Sequence, residues 1–110
     1  MKVAIIGSRS LSVPDLEKYL PPETSEIVSG GAQGVDTSAR IHAVKNNIKL
    51  TEFLPDYAAY GREAPLIRNI EIIKYADIVL AFWDGKSRGT MFVIRRCKML
   101  GVPARVFKVR

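Results

Sequence analysis

The chain has 110 residues, 47% of them apolar and 25% charged, a balance that suits one globular domain with its own core, so disorder is not the default reading. No apolar run approaches the ~20 residues that span a bilayer, residues 1–7 lack a signal-peptide pattern, and the lone Cys97 has neither a disulfide partner nor companions at metal-ligand spacing. The expectation is a soluble, cytoplasmic protein with no metal, no required cofactor and no membrane partner. Net charge is +6 and lopsided: residues 1–60 hold 6 basic and 7 acidic side chains, whereas residues 61–110 hold 11 and 4. Such a half is either a solvated basic surface or an attractor of polyanions, nucleic acid included.

Along the chain, strand and helix patterns alternate five times with no repeat or linker. Residues 3–6 form a short apolar strand ending at Gly7. Ser12 can cap a helix with Pro14 in its first turn, reaching about Leu20 before Pro21 and Pro22 stop it. Residues 26–29 make a second strand, ended by Gly30 and Gly31, and a helix starts near Gly34 with Val35, Ala39 and Ala43 on one face. A third, more polar strand covers residues 49–54, and a tyrosine-rich loop follows over residues 55–61. Leu66, Ile70 and Ile73 then recur at helical spacing. Residues 77–82 are a fourth strand, continuously apolar after Asp77. Residues 90–100 predict a helix with Val93, Cys97 and Leu100 inward and Arg95, Arg96 and Lys98 outward. Gly101 and Pro103 end it, and residues 104–109 form a last, alternating strand.

This alternation predicts one α/β domain over residues 1–110, a three-layer Rossmann-like fold with a five-stranded parallel sheet and helices on both faces. Strands buried on two faces are uniformly apolar, which places the first and fourth in the centre. The polar third and fifth suit the edges, so the order 3-2-1-4-5 is preferred over a flavodoxin-like one. In that order the chain reverses between strands one and four, and ligands sit outside the carboxyl ends of the strands at such a switch point.

Three glycine-bearing loops are expected at that edge. The first is Gly7, Ser8, Arg9 and Ser10. The second runs from Ser29 through Gly30, Gly31, Ala32, Gln33 and Gly34 to Asp36. The third carries Asp84, Gly85, Lys86, Ser87, Arg88, Gly89 and Thr90. Glycines admit positive φ and close approach of a ligand, and the second and third loops open helices whose free N–H groups suit a phosphate. Ser29, Ser87 and Thr90 add hydroxyls, and Arg9, Lys86 and Arg88 add charge. The same glycines can also serve tight turns and nothing more. A Walker A loop is absent, because Leu80 stands five positions before Gly85, and a dinucleotide fingerprint is absent, because Ala32 stands two after Gly30.

Gly7-Ser8-Arg9, the Ser29 to Asp36 loop, Arg68-Asn69, Ala76-Asp77 and Gly89-Thr90 together resemble the SLOG superfamily, named for Smf/DprA and LOG proteins, in particular its small stand-alone DUF2493 (YspA-like) group. The resemblance spans the chain and implies a Rossmann-like domain that binds a nucleotide or a nucleotide-derived small molecule. It leaves two other activities open. LOG-type phosphoribohydrolases cleave the N-glycosidic bond of a nucleoside monophosphate and carry PGGxGTxxE after an arginine that aligns with Arg68. Here Gly89 and Thr90 match, but Val93 stands at the glutamate, and valine cannot stabilise an oxocarbenium ion. Asp84 or Asp36 can substitute only from another loop, and Asp36 can equally bond helix N–H groups. The DNA-processing protein DprA is similar at Ser29 to Asp36 and at Arg68-Asn69, and implies single-stranded nucleic-acid binding, for which Tyr57, Tyr60 and Trp83 offer stacking rings.

Among single residues, Arg68 can reach a phosphate or sugar, or pair at the surface with Glu71 or Glu63. Asn69 can hold a loop or touch ligand, and Trp83 can flank a base or pack. His42 is expected to be structural and Cys97 to lie in the core. The two sheet edges leave both a monomer and a homodimer open, and the resemblance to SLOG members, which often associate, implies the dimer as one option.

Overall fold

The structure is a computed structural model and describes residues 1–109. Strand β1 covers Lys2–Gly7, β2 Glu26–Ser29, β3 Lys49–Glu52, β4 Ile78–Trp83 and β5 Ala104–Lys108; helix α1 covers Val35–Lys45, α2 Tyr57–Tyr60, α3 Ala64–Tyr75 and α4 Arg88–Leu100. All four strand pairings are parallel, and the order is β3-β2-β1-β4-β5, the one that strand polarity predicts. Period-two alternation divides β1 between two cores. Val3 and Ile5 face α1, joining Ile27, Leu80, Phe82, Val35 and Ala39. Ala4 and Ile6 face the opposite layer, joining Val28, Val79, Ile72, Val93 and Cys97 from α3 and α4. Helices therefore cover both faces, and the β1/β4 reversal lies at the middle of the sheet.

Several local expectations are corrected. Residues 12–20 hold only a 3-10 turn, Leu16–Lys18, because prolines at 14 and 21 leave too little chain for a helix and Leu11, Val13 and Leu16 bury along an irregular path. Strand β3 stops at Glu52, since its partner β2 turns away after Ser29. The loop at 55–61 contains α2, whose first turn is capped by the Asp56 carboxylate accepting from the Ala59 N–H at 3.1 Å. Helix α4 starts at Arg88, and Leu100 is 43% exposed because Val102 covers that end of the core instead. Strand β5 does not alternate in burial; Phe107 alone packs inward, stacking on Phe82 with centroids 5.2 Å apart.

The buried stripe of α3 also differs from the expected one. It runs Ala64, Arg68, Ile72 and Ile73, while Leu66 stays 38% exposed. An arginine thus occupies the centre of the packed face, and its charge must be met from within the protein.

Candidate functional site

At the carboxyl ends of the central strands lies a cavity of about 470 Å³, lined by all three glycine-bearing loops. Gly7, Ser8, Arg9 and Ser10 come from the loop after β1. Gly30, Ala32 and Asp36 come from the loop after β2 and the first turn of α1. Asp84, Ser87, Gly89 and Thr90 come from the loop after β4 and the start of α4. Helix α3 forms the far wall with Pro65, Leu66, Arg68, Asn69 and Ile72.

Hydrogen bonds between the loops fix this arrangement. The Ser8 N–H donates to the Phe82 carbonyl at 3.1 Å, and Ser8 Oγ accepts from the Asp84 N–H at 3.3 Å. Asp84 Oδ1 accepts from the N–H groups of both Lys86 and Ser87 at 2.8 Å, closing the turn into α4. Those two N–H groups hold the Asp84 carboxyl below the ordinary aspartate range. Ser87 Oγ then caps α4 by accepting from the Thr90 N–H at 3.4 Å. The cap serves one first-turn donor and leaves the N–H groups of Arg88 and Gly89 without an intrahelical partner. Gly89 lines the cavity, and a Cβ there would meet nothing within 4 Å.

The other glycines answer to the protein's own packing. Gly34 has φ +72°, and a Cβ there would strike the backbone carbonyl of Arg9, so the loops after β1 and β2 touch through it. A Cβ on Gly30 would come within 2.5 Å of Arg68 Nη1. That close approach lets Nη1 donate to the Gly30 carbonyl at 2.7 Å, while Nε donates to Asn69 Oδ1 at 2.8 Å. Arg68 is 8% exposed, and burial is the main influence lowering its pKa, opposed by the Asp36 charge. Neither surface ion pair considered for Arg68 forms; it ties α3 to the loop after β2. Nη1 also donates to the Phe53 carbonyl at 3.4 Å, and no hydrogen bond of Nη2 is formed among the described residues. Asp36 accepts from the Ala32 N–H at 3.1 Å through Oδ2, and its carboxyl is raised above the ordinary range, chiefly by burial, against the pull of Ala32 and Arg68.

The remaining expected residues are placed elsewhere. Ser29 is fully buried beneath the loop, its Oγ accepting from the Gly31 N–H at 3.4 Å. Gly31 and Gln33 line an adjoining hollow of about 270 Å³ with Leu54, Pro55 and Tyr57, joined to the main cavity through Arg9, Gly30, Ala32 and Arg68. Lys86 and Arg88, expected beside the phosphate, and Trp83, expected to flank a base or pack, line a separate hollow outside α4. The Asp84–Ser87 turn carries Lys86 and Arg88 outward, and Trp83, the last residue of β4, donates through Nε1 to the Ser87 carbonyl at 3.0 Å. Pro65, Leu66 and Ile72 also line the cavity, and the only sign of them in the sequence is a helix facing the same edge. Among the described residues no group of three or more His, Cys, Asp or Glu side chains is placed to hold a metal, and no described helix is long and apolar enough to cross a membrane.

Such a site offers an open helix N-terminus, hydroxyls and guanidinium groups to an anion, with an apolar wall beside them. No family model matches the chain. The Gene 61 protein of Mycobacterium phage D29 is 33% identical over 93 residues, covering 79% of this chain and 74% of that protein. DNA processing protein A from Streptococcus pneumoniae has a similar structure, with a TM-score of 0.76 at 21% identity over 99% of this chain. The same-named protein from Helicobacter pylori, described for its single-stranded DNA binding mode, gives 0.74 at 25% identity over all of it. The chain spans 50% of the first of these two proteins and 66% of the second.

Proposed function

We propose that this chain, which belongs to the family of the Gene 61 protein of Mycobacterium phage D29, binds a nucleotide or nucleotide-derived small molecule in the cavity between β1, β4 and α3. The observation that carries the reading is the meeting of three loops at one cavity whose open donors are the first N–H groups of α4. The phosphate sits against Gly89 and Thr90, with Ser8, Ser10 and Arg9 facing it. The sugar and base run along Pro65 and Leu66, or into the adjoining hollow beside Tyr57. Membership of the small stand-alone DUF2493 group fits the same reading. A homodimer through the exposed edge strands belongs to it too, and sedimentation at two concentrations tests that point.

Calorimetric titration with AMP, ADP-ribose, NAD and cyclic nucleotides tests the binding. Saturable binding of at least one is the expected result; a folded protein that binds none at millimolar concentration refutes the reading.

Single-stranded DNA is the second reading, favoured by the likeness to the H. pylori protein and the +7 balance of residues 61–110. It requires oligonucleotide affinity that falls steeply with salt, and a flat response rejects it. N-glycosidic hydrolysis has less support. Val93, where the LOG glutamate would stand, is fully buried in the core, so its position faces no ligand. Asp84 and Asp36 line the cavity, but each already spends an oxygen on loop N–H groups.

A further inference from the structure

The positive charge of the second half is concentrated away from the cavity. Residues 86–110 contain eight basic side chains and no acidic one. Four of them, Lys86, Arg88, Arg95 and Arg96, border the hollow of about 570 Å³ outside α4, and no carboxylate lines it. None of the four makes an ion pair among the described residues. Between them the surface is apolar, built from Met91, Phe92 and Met99, with Met99 74% exposed. Spacing along α4 puts Arg88, Met91, Arg95 and Met99 on one side of the helix, turned from the buried line of Thr90, Val93 and Cys97.

We infer that this hollow docks an acidic polypeptide segment that carries large apolar side chains. Unpaired guanidinium groups match carboxylates in charge and in their two-pronged geometry. The methionine thioethers adapt their shape to a range of apolar side chains. A nucleic-acid strand fits this surface less well, because single-strand binders stack bases on open aromatic faces. Here the Arg96 guanidinium lies over the Phe92 ring, 4.9 Å from its centroid, and the Trp83 indole N–H is held by Ser87. The well-exposed tyrosines, Tyr57 and Tyr60, lie on α2 and do not line this hollow.

Trp83 is the only tryptophan in the chain, so its emission reports directly from the hollow. The experiment titrates the full chain with a short synthetic peptide alternating Asp and Glu with Leu and Phe, reading Trp83 emission and the anisotropy of a fluorescein label. Saturable binding that shifts the emission and weakens with salt is expected. The Arg95→Glu/Arg96→Glu variant should bind about tenfold more weakly or worse. Lys86→Glu, on the loop before α4, should weaken binding in the same direction and does not depend on the helix surface for its folding. An equally charged peptide with Ser in place of Leu and Phe should also lose about tenfold. A folded protein that shows no emission change overturns the inference. So does equal affinity for the two peptides, or tighter binding of an equally charged oligonucleotide that produces the same emission change.

Discussion

Replacing Gly89 by aspartate separates ligand binding from folding more cleanly than any other single change. Position 89 lies in the first turn of α4 with normal φ and nothing within 4 Å of a Cβ, so the fold accepts a side chain there. A carboxylate at a helix N-terminus is itself favourable, by about 0.3–1 kcal/mol. Thermal unfolding should therefore shift slightly upward. The bound phosphate, in contrast, would face a new negative charge at roughly contact distance. Two unit charges 4 Å apart repel by about 4 kcal/mol at an effective dielectric of 20 and by about 1 kcal/mol in bulk water. For a cavity open to solvent, a loss of about 1–3 kcal/mol is expected, or roughly 5- to 150-fold in Kd. Calorimetry with the best nucleotide from the panel, beside a melting curve, measures both effects on one sample. Unchanged affinity in a Gly89→Asp protein of equal or higher Tm would place the phosphate somewhere else and refute the reasoning.

Three further outcomes follow from the same geometry. Arg68→Ala should lower stability in urea by about 2–4 kcal/mol, because it strands the Gly30 carbonyl and removes the cation facing buried Asp36; a loss below about 0.5 kcal/mol would show that the clamp is dispensable. Gly34→Ala should destabilise by about 1–3 kcal/mol through its positive φ and its clash with Arg9, measured by thermal melting, and a neutral result would contradict the described contact between the two loops. Carboxyl NMR titration should place Asp36 above and Asp84 below the ordinary aspartate midpoint of about 4. For Asp36 the folded state binds its proton more tightly than the unfolded chain, so its contribution is present below that midpoint and fades as pH rises through the folded one. Asp84 works in the opposite sense, adding stability above the midpoint and losing it as pH falls through its depressed value. Asp36→Asn should accordingly flatten the loss on the alkaline side of the midpoint, and an unaltered profile would count against its burial.

The sheet was legible because strand polarity reports burial on two faces. Residues 3–6 and 78–82 are apolar without interruption and become β1 and β4 at the centre, while Lys49, Glu52, Arg105 and Lys108 mark the edges. The cavity was legible for a related reason: parallel strands deliver every βα loop to one edge, so three glycine-bearing loops had to approach one another. Side-chain direction was not legible. Local pattern put Leu66, Ile70 and Ile73 on the buried face of α3, whereas packing kept only Ile73 of these, added Ala64, Arg68 and Ile72, and gave Arg68 a structural bond to the Gly30 carbonyl. Lys86 and Arg88 were sent to the outer hollow by a turn whose direction depends on Asp84 accepting two N–H bonds. That choice is made by geometry over four residues and leaves no periodic trace.

Amide chemical-shift mapping of the isotopically labelled chain, with a nucleoside monophosphate or ADP-ribose added stepwise, bears most directly on the shared anion cavity. Saturable shifts should gather at Ser8, Arg9, Gly89 and Thr90, with the largest at Gly89. Shifts confined to the surface around His42 or to the outer face of α4, or none at saturating ligand, would contradict it.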